Sequence, residues 1–151
     1  MAVSGFCQEQ KKSEAGGPPT KSELIGFWKM VDFPARAKMN KEDPWPQPYQ
    51  WFAFYENGKV SSMMTDIKAD YSRKELEEIF AAFPPAMLPD YEYDGRFVRI
   101  TNPDIADYME IWGVNLFARD IGNNARKGDL MMSLDDGEGT PIYYRLLRRV
   151  E

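Results

Sequence analysis

The strongest constraint on the fold is a pair of alternating segments joined by a tight turn. Gln50 to Glu56 leads into Asn57-Gly58 and out again through Lys59 to Thr65. Asn-Gly accepts the positive φ values of a two-residue type I′ turn, so the spacing predicts an antiparallel hairpin. With Asn57 and Gly58 at the turn centre, Glu56 faces Lys59, Tyr55 faces Val60, Phe52 faces Met63 and Trp51 faces Met64. One face then carries Trp51, Tyr55, Val60 and Met64, and the other Phe52, Phe54, Ser61 and Met63. Both faces are apolar. A sheet with one wet side has no use for this; a barrel wall covered on its outer side by a helix or loop does.

The cover follows directly. Ser72 is a fitting N-cap and Glu75 completes a capping box. Leu76, Ile79, Phe80 and Phe83 recur on one helical stripe, and Pro84-Pro85 ends it. Around this helix the chain alternates with period two. Leu24 to Phe33 forms a first strand, with Leu24, Gly26, Trp28 and Met30 on one face. Pro34 stops its ladder, and Pro44, Pro46 and Pro48 around Trp45 favour an extended loop. Asp94-Gly95 joins Tyr91–Tyr93 to Arg96–Thr101 as a second hairpin. Tyr108 to Arg119, bent at Gly113, Asp129 to Leu134 and Ile142 to Val150 complete a set of eight strands. Eight is the number at which a closed barrel just holds one small ligand. The expectation is a mostly β fold: an eight-stranded antiparallel up-and-down barrel with one inserted helix around residues 72–83. Residues 1–21 read as a flexible polar tail, and 22–151 as one barrel domain.

Composition narrows function mainly by exclusion. The 151 residues fit one domain, and 43% hydrophobic with 14% aromatic residues is too much for a disordered chain. A net charge of −5 argues against a nucleic-acid partner. There is no histidine, which removes Ser–His–Asp and Cys–His catalysis, histidine metal sites and a histidine haem ligand. An enzyme would have to work with carboxylates, Tyr, Lys, Arg or Cys7, so the reading leans away from catalysis. No metal or cofactor is expected: Asp104, Asp107, Asp135 and Asp136 are turn acids without EF-hand spacing. No apolar run approaches the ~20 residues of a membrane-spanning helix, and Met1 to Lys12 lacks the apolar core of a signal peptide. The chain as written is expected in the cytoplasm. The alternative is a periplasmic or membrane-anchored lipoprotein, because Cys7 and its polar tether resemble a lipoprotein start.

Three stretches resemble a known family. Gly26-Phe27-Trp28 resembles the Gly-x-Trp signature of lipocalins and the wider calycin superfamily. Pro44 to Tyr49, Trp51 to Tyr55 and Asn57-Gly58-Lys59-Val60-Ser61 look like the Pro-aromatic, strand, turn, strand pattern of bacterial lipocalin-like domains, and Gly128 to Val150 is similar to their last hairpin. The resemblance implies that Trp28 closes one end of the barrel under an arginine of the last strand. By parity Ile142, Tyr144, Leu146 and Val150 share a face with Arg148, whereas Arg145 and Arg149 point away with Tyr143 and Leu147. The expected plug is therefore Gly26, Trp28 and Arg148, structural rather than catalytic, with the stacked pair worth ~0.5–2 kcal/mol. The disulfide of secreted lipocalins and their helix after the last strand are absent, so no specific lipocalin ligand carries over.

Candidate ligand-binding residues are Trp51, Tyr55, Met64, Tyr108, Glu110, Trp112 and Tyr144. Glu110 shares its face with Tyr108, Trp112, Val114 and Leu116, an odd place for a carboxylate. It either meets a ligand hydroxyl or amine, acts as a base, lies on a face that is the outer one at that end, or pairs with Arg99. Three functions stay open: a binding protein for a small apolar or amphipathic molecule; an isomerase, lyase or hydrolase using Glu110, a Tyr and an Arg; and a non-catalytic envelope or interaction module with a filled barrel. A wholly apolar open cavity favours the first, a convergent Glu–Tyr–Arg set the second, and a sealed interior the third. Oligomeric state is not legible.

Overall fold

The computed structural model describes residues 16–33 and 43–151. Cys7, most of the predicted tail and Pro34 lie outside them. Eight antiparallel strands form a nearly closed barrel: β1 (Gly26–Val31), β2 (Tyr49–Phe54), β3 (Val60–Thr65), β4 (Asp90–Tyr93), β5 (Phe97–Thr101), β6 (Met109–Leu116), β7 (Leu130–Asp135) and β8 (Pro141–Arg149). Their order, β3-β2-β1-β8-β7-β6-β5-β4, is an up-and-down meander in which β1 also pairs with β8. Pro141 is tolerated as the first residue of its strand because it lacks only an N–H there.

The cylinder closes between β3 and β4 through an isolated bridge, Lys59 to Asp90. Val60 N–H donates to Pro89 O at 3.1 Å and Tyr91 N–H to Gly58 O at 2.8 Å. The Lys59 ammonium meets the Asp90 carboxylate at 2.6 Å. The helix predicted around 72–83 fills the β3–β4 connection as α2 (Arg73–Ala81), after a one-turn α1 (Lys21–Leu24) ahead of β1. Ser72 Oγ accepts from Glu75 N–H at 3.2 Å, but the Glu75 carboxylate takes the Ser72 hydroxyl rather than its backbone N–H. The reciprocal capping box belongs instead to Thr20 and Glu23 of α1. Among the described residues no helix is long and apolar enough to cross a membrane.

Two apolar clusters explain why both faces of the first hairpin are greasy. The barrel interior holds Trp28, Met30, Phe52, Phe54, Val98, Trp112, Val114, Met132, Tyr143 and Leu147. Outside the wall, Leu76 and Phe80 of α2 bury Trp51 and Ala53. The assignment of faces differs from the sequence expectation, and the turn is the reason. Tyr55 N–H donates to Lys59 O at 2.9 Å, so Glu56, Asn57 and Gly58 form a three-residue loop with Gly58 at φ +81°. This is the longer hairpin that ends in a left-handed glycine, not the two-residue type I′ turn. Phe54 therefore pairs with Val60, Phe52 with Ser62, Trp51 with Met63 and Gln50 with Met64. A one-residue slip moves every side chain of one strand to the other face relative to its partner. Phe52, Phe54, Val60 and Met64 point inward; Trp51 and Tyr55 point outward.

A plugged end and a lined cavity

One end of the barrel is shut by Trp28, but Arg148 is not its partner. The register sets Trp28 opposite Arg149, and cross-strand neighbours share a face. The Arg149 guanidinium carbon lies 4.4 Å from the Trp28 ring centroid. Its Nη1 donates to Ile25 O at 2.8 Å, and its Nη2 donates to Glu23 O. Trp28 Nε1 donates to Leu24 O at 2.9 Å, so indole and guanidinium together hold the carbonyls at the end of α1. Gly26 belongs to the same assembly: its φ is +139°, and an added Cβ would sit 2.4 Å from Arg149 Nη1. Arg148, on the opposite face, makes bonds of 3.0 and 2.8 Å to the buried Asp129 carboxylate. Parity alone misassigned β8 because both of its faces carry apolar residues: Tyr143, Arg145 and Leu147 face inward, while Tyr144 faces outward.

The inward Arg145 is 3% exposed. Burying a guanidinium is expensive unless something replaces water. Here ring faces replace part of it: its carbon lies 4.4 Å from Trp45, 4.6 Å from Phe52, 4.6 Å from Trp112 and 5.3 Å from Tyr143. Each such contact is worth ~0.5–1 kcal/mol at the surface and about 2 or more when desolvated. Trp45 reaches this position because Gln50, facing inward and buried, donates Nε2 to Trp45 O at 3.1 Å and Gln47 O at 3.0 Å. The amide thus ties the proline-rich loop down into the barrel mouth.

Above this cage lies a cavity of about 220 Å³. Phe52, Phe54, Val60, Ile100 and Met132 wall it, and Trp45 and Arg145 border it. Its mouth lies between the β3 edge at Ser62 and Met64 and the β5–β6 loop at Asn102, Ile105 and Tyr108. Glu110, on β6 opposite Ile100, faces into it. Burial pushes the Glu110 pKa up, opposed by Tyr108, Arg145 and Trp112, which favour the ionised form. Burial, with the neighbouring Glu110 charge, pushes Tyr108 up to about 12. The mouth loop turns on Asp107, whose φ of 61° is the left-handed conformation that Asp tolerates better than most residues.

Of the candidate residues, Met64, Tyr108 and Glu110 line the cavity. Trp112 is fully buried beside Arg145. Trp51 lies on the outer wall with its ring 5.1 Å from Tyr71, and Tyr55 packs 6.4 Å from Phe27. Tyr144 is also on the outer face, so these three corrections share the two face errors described above. Arg99 does not pair with Glu110; it meets Asp94 at 2.7 Å. Phe52, Phe54, Trp45 and Arg145 were missed as lining residues. Only the left-handed potential of Gly58 in a longer loop hinted at the first two, and an arginine spaced among aromatics hinted at the last. No family model, curated protein or solved structure matches this chain.

Proposed function

We propose that this chain is a small-molecule-binding barrel of the lipocalin-like kind, taking an apolar or amphipathic ligand between β3 and the β5–β6 loop. The observation that carries the reading is the division of the barrel interior. One end is packed shut around Trp28 and Arg149, while the other opens into an aromatic-walled cavity with a few polar groups at its rim. Binding sites are commonly built this way, with apolar walls for affinity and sparse polar groups for orientation. The cavity also counts against a barrel that is merely filled.

A second reading has its own support. Glu110, Tyr108 and Arg145 all border the cavity, and a buried carboxylate with a raised pKa is a plausible general base. On that reading the protein is an isomerase, lyase or hydrolase, and Glu110→Gln abolishes turnover while leaving ligand binding measurable.

Native mass spectrometry of freshly purified protein tests the first reading, together with tryptophan fluorescence, since Trp45 and Trp112 sit at the site. A co-purified small molecule, or saturable quenching by an environment-sensitive apolar probe, is expected. Absence of both would sink the carrier reading.

A further inference from the structure

Resting on that reading, we infer that the ligand is a compact, net-neutral ring molecule that presents a hydrogen-bond donor to Glu110. Size comes first. An apolar cavity of about 150 Å³ accommodates one benzene. At the same packing, about 220 Å³ admits about half as many atoms again, or roughly nine non-hydrogen atoms. Long acyl chains and tetrapyrroles are far larger, and the Trp28–Arg149 plug leaves them no room beyond the cavity floor.

Shape points the same way. Trp45, Phe52 and Phe54 line the cavity, and flat aromatic guests match aromatic walls through stacked or edge-on contacts.

Charge decides the class. Glu110 and Arg145 both border the cavity. A cationic guest would gain from Glu110 but face Arg145 nearby, and an anionic guest would meet the reverse. In a partly desolvated site like-charge repulsion is poorly screened, so neither sign is favoured. A neutral N–H or O–H donor adds a hydrogen bond to the Glu110 carboxylate, beside those from Tyr108 and Trp112, without either penalty. Asn102 and the exposed Ser62 line the cavity at its mouth, where a second polar substituent would point outward.

The test uses the full chain and titrations read by tryptophan fluorescence and isothermal calorimetry. The probes are indole, its donor-free isostere indene, benzoate, benzylammonium and oleate. Indole is expected to bind saturably, with indene about ten- to a hundredfold weaker because it adds no hydrogen bond to the Glu110 carboxylate. Benzoate and benzylammonium are expected to bind more weakly than indole, and oleate not at all. Glu110→Gln should narrow the gap between indole and indene and shift preference toward benzoate. Ser62→Phe, at an exposed rim position, should block indole while leaving the melting curve unchanged, which keeps the test decisive should the Glu110 variant fail to fold. Indene equal to indole, or any charged probe or oleate binding tighter than indole, overturns the class and leaves the carrier reading standing. Silence from every probe also overturns it; silence together with no co-purified molecule overturns both.

Discussion

Gly26→Ala probes the plug most directly, because two separable penalties meet at one residue. The first is conformational: at φ +139° a side chain is strained, which typically costs about 1–3 kcal/mol. The second is steric. The new Cβ would lie 2.4 Å from Arg149 Nη1, so the guanidinium must leave the Ile25 carbonyl and its position over Trp28. Losing a charge-assisted hydrogen bond and part of a cation–π contact costs about 1–2 kcal/mol more. The total is about 2–5 kcal/mol, and at about 2–4 °C per kcal/mol for a chain of this size the melting point falls by about 4–20 °C. Urea unfolding of Gly26→Ala, Arg149→Met and the double variant separates the terms. Without the guanidinium only the conformational penalty remains, so the cycle should give a coupling of about 1–2 kcal/mol. The same cycle with Arg148→Met should give none. A Gly26→Ala cost unchanged by Arg149→Met would refute the assignment of Arg149 to the plug.

Other consequences are more quickly stated. Leu76→Ala, at a fully buried contact under α2, should destabilise by about 2–5 kcal/mol and alter the near-UV circular dichroism of Trp51; a change below about 0.5 kcal/mol would show that α2 does not cover that wall. Asp94 accepts from the Arg99 guanidinium, Phe97 N–H and Arg96 N–H, which lowers its pKa from 3.8 to about 2. Its contribution is therefore present above pH 3.8 and lost as pH falls toward 2, so Asp94→Asn should flatten that limb of acid unfolding, and superimposable curves would contradict the pairing. For Glu110 the sign reverses. Its folded pKa is raised above the ordinary 4.5, so the folded state binds more protons and loses stability as pH climbs from 4.5 through the raised value. Glu110→Gln should abolish that slope; an unchanged slope would place the carboxylate in water.

Much of the fold was legible because period-two alternation and turn residues are local properties. The strands, the Ser72 helix start and the Pro84-Pro85 stop all follow from neighbours in sequence. Which face turns inward is not local. For β2 it depended on whether Asn57-Gly58 closes a loop of two residues or three. For β8 both faces carry large apolar groups, since the outer wall is itself covered in places. Parity opposite to Ile142, Tyr144, Leu146 and Val150 pointed Arg145 outward, whereas it lies inward among four rings. Glu110 was found because a carboxylate among Tyr108, Trp112 and Val114 is anomalous on any face. Trp45 could not be placed, because nothing local says where a proline-spaced loop will fold back; the Gln50 amide decides it.

The single stitch between β3 and β4 gives local opening of this wall and survival of the fold different free energies. Parting Val60 from Pro89 and Tyr91 from Gly58 breaks two backbone bonds, about 1–3 kcal/mol at ordinary net strength, against roughly 5–15 kcal/mol to unfold a domain. The seam can therefore part without the barrel coming apart. Such local breathing would show as faster amide exchange at Val60 and Tyr91 than at the far, plugged end.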